Sequence, residues 1–189
     1  MPILGTIASS KLTAVDGDYE SIATVTVGGG GASDIVFSSI PSTYAHLQIR
    51  GIGKTNRATY VDDLGIRLNG DSGATYSWHR LYGVGSGTPA QDAGVSVTFM
   101  NIGQIAGGTV TYSQGMGAFV IDILDYANTN KNKTIRCLAG YDDNGQGLLE
   151  LGSGNWRNTN AITSISLLPV IGGTFSQYSS AALYGIKGA

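Results

Sequence analysis

The amino-acid sequence predicts an all-β protein, a single-domain antiparallel β-sandwich of the jelly-roll type with about ten strands. Short runs rich in Val, Ile, Tyr and Thr alternate with turns of Gly, Asn, Asp and Ser. Almost no stretch has the apolar period of a helix. Glycine accounts for 29 of the 189 residues. Such a chain buries a core only by packing one sheet on another or by closing a sheet into a barrel.

The chain divides into an arm and one domain. Residues 1–18 are small and apolar, lack a regular period and end at a turn signal, so we expect an N-terminal arm. Ile3, Leu4 and Ile7 are its candidate partner-binding residues. Residues 19–189 then form the β-sandwich domain. A domain of this length buries enough surface to fold without disulfides or metals.

Each predicted strand alternates between two faces and ends at a turn signal. In the strand that follows Tyr44, for example, Leu47 and Ile49 face inward, whereas Gln48 and Arg50 face outward. The predicted strands cover residues 20–27, 34–40, 44–52, 64–68, 76–82, 95–102, 118–124, 133–141, 148–151, 162–170 and 182–186.

The connections are predicted from Gly, Ser and Asn content. Residues 83–94 are rich in Gly and Ser and are predicted to form a long loop, and residues 103–117 are a second Gly-rich segment. The runs 69–73 and 142–145 carry strong turn signals. Gly152-Ser153-Gly154 is predicted to be a turn from its composition.

Charge excludes several functions. Charged residues make up 13% of the chain, about half of the ~25% usual in soluble domains. The net charge is −2, and the basic residues are scattered, so we expect no direct contact with nucleic acid. The closest basic group, Lys131, Lys133 and Arg136, is interpreted as the solvated start of a strand. No apolar run approaches the ~20 residues of a membrane span, and no export signal is present, so we expect assembly in a cytoplasm.

No pattern of residues indicates catalysis, a metal or a cofactor. His46 and His79 lie in different predicted strands without further ligands at metal-binding spacing. The run Gly53-Lys54-Thr55 fails as a phosphate-binding loop because Gln48 stands where that motif needs a glycine. Cys137 alternates with Arg136 and is predicted to be buried. We therefore predict that the protein is not an enzyme.

Aromatic residues are the best candidates for binding. Alternation over residues 76–82 places Tyr76, Trp78, Arg80 and Tyr82 on one face. A second tryptophan lies between turn signals near the predicted surface. The binding candidates are Trp156, Arg157 and Tyr178. The alternative is that both tryptophans cap the core.

Six segments are familiar together, namely residues 19–27, 35–44, 46–50, 78–83, 121–131 and 182–188. The chain resembles a family of small structural proteins of tailed bacteriophages, including cyanophages. The resemblance implies a virion component that binds the major capsid protein or other virion subunits and forms a homotrimer. It also implies a capsid cement or decoration protein that stabilises the shell. The alternative is a tail fibre or receptor-binding protein that recognises host-surface glycans. A long shaft or repeated stalk is not evident, which favours the cement protein.

Overall fold

A computed structural model describes residues 17–188. These residues form twelve strands and no helix, so the prediction of an all-β sandwich is confirmed and the strand count is twelve, where about ten were predicted. The strands are β1 (Tyr19–Thr26), β2 (Ile35–Phe37), β3 (His46–Gly53), β4 (Val61–Leu68), β5 (Tyr76–Val84), β6 (Ala90–Val97), β7 (Met100–Ala106), β8 (Gly117–Leu124), β9 (Lys133–Tyr141), β10 (Leu148–Trp156), β11 (Ile165–Pro169) and β12 (Ser180–Ile186).

The strands form two antiparallel sheets. The large sheet has the order β1-β12-β3-β8-β9-β10-β5-β6, and the small sheet has the order β2-β11-β4-β7. When β5, β6, β9 and β10 are set aside, the remaining strands are β1, β12, β3 and β8 in one sheet and β2, β11, β4 and β7 in the other. This alternation between sheets is the connectivity of an eight-stranded jelly roll.

The four other strands are two hairpins added to that jelly roll. The hairpin β5–β6 is inserted between β4 and β7, and the hairpin β9–β10 is inserted between β8 and β11. Both extend the large sheet beyond β8. The large sheet therefore has a jelly-roll half (β1, β12, β3 and β8) and an added half (β9, β10, β5 and β6).

The core lies between the two sheets. Alternation places Leu47 and Ile49 of β3 fully inside, as predicted, in one buried cluster with aliphatic side chains of the small sheet. Strand β7 packs across β9 and β10 of the added half. Cys137 is buried, as predicted, and burial raises the pKa of its thiol to about 12. The largest fully buried side chains include Trp156, Tyr76, Tyr126, Lys133 and Phe175.

One predicted turn is wrong. Gly152-Ser153-Gly154 lies inside β10 and pairs with both β5 and β9. The glycines are required by packing, because a Cβ atom on Gly154 would lie 2.1 Å from the Met100 Sδ atom and one on Gly152 would lie 2.7 Å from the Cys137 Sγ atom. Small residues in a buried strand thus make room for sulfur-containing side chains from its neighbours.

The predicted strand over residues 95–102 is also wrong, because two strands in different sheets share it. Strand β6 ends at Val97 in the large sheet, and β7 begins at Met100 in the small sheet. The predicted loop over residues 83–94 is shorter for the same reason, since β6 already begins at Ala90. The turn over 142–145 is confirmed, with φ of 57° at Asn144 and 82° at Gly145.

The interpretation of Lys133 as a solvated residue is wrong. Its side chain is fully buried and its Nζ atom donates hydrogen bonds to the carbonyl oxygens of Asn128, Lys131 and Thr159. Burial lowers the pKa of this ammonium group. Lys133 thus links the loop before β9 to the segment after β10 at one end of the large sheet.

Among residues 17–188, the chain offers no helix that could cross a membrane.

Candidate functional site

The outer face of the large sheet, which points away from the small sheet, carries a continuous apolar surface. Leu81 of β5, Leu138 of β9 and Leu151 of β10 lie side by side, because Leu151 pairs directly with both of the others. Val120 of β8 pairs with Leu138 and continues the row. Leu149 lies one pleat further along β10. These five residues, Leu81, Val120, Leu138, Leu149 and Leu151, form what is called here the apolar face.

The leucines of the apolar face are widely open to solvent. Leu149 is 65% exposed, Leu151 58%, Leu81 56% and Leu138 49%. An antiparallel sheet with one solvated face normally alternates apolar and polar residues. In β9 and β10 both faces carry apolar residues, which is the pattern of a strand covered on both sides. A contiguous exposed apolar patch of this kind marks an interaction surface.

An open groove runs along the seam between the jelly-roll half and the added half. It has a volume of about 640 Å³. Its outward-facing floor is made by small residues, Ala118 and Gly140, and its walls include Leu138 and Leu149, with Arg50 at one side. Gly140 is required there, because an added Cβ atom would lie 2.5 Å from the carbonyl oxygen of Leu148. This seam groove is therefore shaped by the backbone itself.

A second depression of about 450 Å³ lies on the other side of the leucine row. Its lining combines Leu81 and Leu151 with the polar side chains of His79, Gln91 and Arg136. The row of leucines is thus a ridge between an apolar groove and a mixed one. Such a relief suits a partner that inserts side chains on both sides of the ridge.

The outer face changes character towards β1. Gln48 donates a hydrogen bond to Asp122 (2.7 Å) and accepts hydrogen bonds from Arg50 (2.8 Å) and from the hydroxyl of Tyr19 (2.7 Å). Asp122 also lies 3.5 Å from Arg136. The polar side chains of the jelly-roll half therefore satisfy one another, and this part of the face is called the polar network below.

A cluster of charged side chains lies on the inner face of the added half. The Arg80 guanidinium is 3.1 Å from the Asp92 carboxylate and 3.5 Å from the carboxylates of Asp63 and Glu150. The Arg80 side chain is 9% exposed and that of Glu150 only 1%. Within residues 17–188, Oε1 of Glu150 has no hydrogen-bond partner.

The cluster changes the acid–base properties of its members. Burial raises the pKa of Glu150 to about 7, an effect that Arg80 partly offsets and Asp63 increases. Burial alone would lower the pKa of Arg80, but Glu150, Asp63 and Asp92 outweigh it and raise that pKa. The arrangement can exchange a proton near neutral pH. Within residues 17–188, no group of three or more His, Cys, Asp or Glu side chains is arranged so that it could hold a metal ion.

The structure does not bring Trp156, Arg157 and Tyr178 together in one exposed site. Trp156 is 1% exposed and its indole donates a hydrogen bond to Asp71 (2.7 Å), so the interpretation of Trp156 as a surface residue is wrong and the alternative of a core residue is correct. Arg157 donates a hydrogen bond to the carbonyl oxygen of Ala74 (2.6 Å), which ties it to the start of β5. Tyr178 is exposed on the loop before β12.

The other three predicted binding residues, Ile3, Leu4 and Ile7, lie outside the described residues, as does most of the predicted arm. Sequence reasoning missed the apolar face. Its only signal was the presence of leucine on both faces of β9 and β10, in the runs Arg136-Cys137-Leu138 and Leu148-Leu149-Glu150-Leu151.

No protein-family model and no curated protein matches this chain. Among solved structures, the chain is similar to the galectin LEC-6 of Caenorhabditis elegans, with 8% sequence identity and a TM-score of 0.35 over 84% of this chain and 94% of that one. It is also similar to lysenin in complex with phosphocholine, with 12% identity and a TM-score of 0.13 over 88% of this chain and 49% of that one. Neither similarity transfers a ligand to this chain.

Proposed function

We propose that this chain is a structural subunit of a tailed-bacteriophage virion, a capsid cement or decoration protein that binds the major capsid subunits through its apolar face. The observation that supports this most strongly is the row of exposed leucines, Leu81, Leu151 and Leu138, on three neighbouring strands. Burying such a row against another protein removes apolar surface from water and supplies the free energy of binding.

The rest of the surface suits permanent contact with protein. Charged residues are only 13% of the chain, so little charge has to be desolvated when the surface is covered. In the jelly roll the chain passes repeatedly between the two sheets, so the large sheet is held firmly against the core. In a homotrimer, three apolar faces would bind several shell subunits at once, and such multivalent attachment makes weak single contacts nearly irreversible.

A pair of matched variants tests the apolar face. Leu81→Asp with Leu151→Asp places two carboxylates on the ridge, and we expect this variant to fold but to lose binding to purified capsid shells in a co-sedimentation assay. Val36→Asp is the control, because Val36 is also an exposed strand residue but lies in the small sheet. Equal shell binding by both variants would contradict the role of the apolar face.

The number of copies per particle tests the function itself. A cement protein is present in virions at a stoichiometry comparable with that of the major capsid protein, which a stained gel measures. A stoichiometry typical of one tail complex, or absence from purified particles, would overturn the proposal.

One observation favours a second function, a receptor-binding protein that recognises host-surface glycans. The Tyr19 ring stacks on Tyr184 with 4.8 Å between ring centroids, beside Gln48 and Asp122 of the polar network. Aromatic rings next to amide and carboxylate groups suit sugar binding. Under this function, Tyr184→Ala would reduce adsorption of phage to host cells and leave the heat stability of the shell unchanged.

A further inference from the structure

The seam groove has the chemistry of a site for an apolar stretch of polypeptide. Its floor of Ala118 and Gly140 leaves room for inserted side chains between the walls of Leu138 and Leu149. Arg50 is the only charged residue among the groove-lining residues within the described chain. The groove therefore favours aliphatic side chains.

The chain carries a segment that matches this groove. Residues 1–16 contain Ile3, Leu4, Ile7 and Leu12, and only two charged side chains, Lys11 and Asp16, both near the domain. Fully extended, sixteen residues reach about 50 Å. The segment is thus long enough and apolar enough to fill a groove well away from its own point of attachment.

The position of β1 decides whose groove the segment reaches. β1 is an edge strand of the large sheet, and it starts at Tyr19, at the end of the sheet where Tyr19 pairs with Ile186. The groove floor lies at the other end, because the pairing across the sheet places Ala118 level with Thr26. The two ends of β1 are about 23 Å apart.

A segment that returned to its own groove would have to reverse direction and cross the polar network. Gln48 and Asp122 lie across that route, with their polar groups already paired. The residues that connect the groove-bound stretch to Tyr19 would then cover these paired groups and remove them from water. A segment that continues in the direction in which β1 leaves the sheet meets neither obstacle.

We propose that the seam groove binds residues 3–12 of a neighbouring copy, so that subunits interlock through exchanged N-terminal segments. The inference deepens the proposed function and rests on it only in treating the chain as an assembling subunit. The exchange divides the apolar face: the neighbour's segment covers Leu138 and Leu149, which line the groove, and the contact with the capsid then uses Leu81 and Leu151.

Disulfide trapping identifies the copy that supplies the segment. Full-length chains carrying Leu4→Cys are mixed with full-length chains carrying Ala118→Cys and then oxidised mildly. We expect a covalent heterodimer on a non-reducing gel. Ala93→Cys replaces Ala118→Cys as the control, because Ala93 is an exposed outer-face residue of β6, far from the groove. The native Cys137 is buried and does not interfere.

A chain that carries both Leu4→Cys and Ala118→Cys tests the opposite arrangement. At high dilution, we expect little crosslinking within one chain. A fast intramolecular crosslink, or a heterodimer formed equally well by Ala93→Cys, would overturn the proposal.

Self-association of the isolated protein gives an independent measurement. Ala118→Trp fills the groove with a large side chain. The double variant Ile3→Asp with Ile7→Asp makes the N-terminal segment too polar for the apolar groove. In analytical ultracentrifugation, we expect each variant to weaken the oligomer by about tenfold or more, with Ala93→Trp unchanged. An unchanged oligomer in both variants would refute the exchange.

The two proposals fail separately. If Leu81→Asp with Leu151→Asp abolishes shell binding and leaves crosslinking intact, both proposals are supported. If Ala118→Trp chains no longer self-associate but still bind shells, the cement function stands and does not need the exchange. Crosslinking without any shell binding would refute the cement function alone.

Discussion

The two halves of the large sheet have the same backbone geometry but opposite outer surfaces. Over the jelly-roll half, Gln48, Asp122 and Arg50 bond to one another and leave few unsatisfied groups. Over the added half, Leu149 and Leu151 point into solvent. The inner faces also differ, since the jelly-roll half buries aliphatic side chains whereas the added half also buries the charged cluster around Arg80.

This difference shows that the two inserted hairpins carry the exposed leucines of the large sheet. The jelly roll alone would form a sandwich with two four-stranded sheets and a polar exterior. The hairpins β5–β6 and β9–β10 double the width of one sheet, and they supply all four exposed leucines of the apolar face. The charged cluster then pins the added half to the small sheet through Asp63 of β4.

The largest expected effect comes from removing the cation of that cluster. Arg80→Met leaves the buried Glu150 and the partly buried Asp63 without a positive partner, and breaking a buried ion pair costs about 3–5 kcal/mol. We expect this loss in the free energy of unfolding at neutral pH, measured by urea denaturation. The double variant Arg80→Met with Glu150→Gln should recover part of it, because one orphaned carboxylate is removed. No difference between the single and double variants would contradict the coupling.

Truncating one apolar residue on each face of the large sheet tests whether the apolar face contributes to the stability of the isolated protein as the buried inner face does. Ile121→Ala opens a cavity in the fully buried core of the jelly-roll half and should cost about 2–5 kcal/mol of unfolding free energy. Leu138→Ala on the apolar face should change the stability of the isolated protein by less than about 0.5 kcal/mol. A comparable cost for both, in the same denaturation experiment, would show that the apolar face is covered within the protein itself.

A third expected effect is a dependence of stability on pH. The pKa of Glu150 is about 7 in the folded protein and 4.5 in its ordinary state, so the folded protein binds the proton more tightly. The stabilisation is complete below pH 4.5, declines as the pH rises towards 7, and is absent above it. We expect a loss of about 3 kcal/mol in the free energy of unfolding between pH 4.5 and pH 8.

Glu150→Gln should flatten this dependence, because its side chain stays neutral throughout. Asp34→Asn, an exposed position on the loop before β2, is the matched control and should retain the wild-type slope. A slope that persists in Glu150→Gln would mean that other groups of the cluster cause it.

Local alternation predicted most of the strands and most of their inward-facing residues. Leu47, Ile49 and Cys137 face the core as expected, because the two-residue period of a strand is a property of neighbouring residues. The turn predicted from composition at Gly152 and Gly154 is wrong, because these glycines make room for the side chains of Cys137 and Met100. Nothing local distinguishes these two uses of glycine.

The candidate sites could not be predicted in the same way. Arg80 and Glu150 meet across 70 residues of sequence. The leucines of the apolar face likewise come from β5, β9 and β10, which become neighbours only through the strand order of the large sheet. Trp156 shows the reverse error, since flanking turn residues suggested exposure for a ring that fills the core.

By itself the sequence determined that this chain forms strands, where most of them run and which side chains of each strand share a face, because these properties depend on residues that are close along the chain. Only the tertiary structure decided that two hairpins widen one sheet of a jelly roll, and that their leucines join into a single surface. The reason is that strand pairing is settled by burial of the whole core, to which residues distant in sequence contribute together.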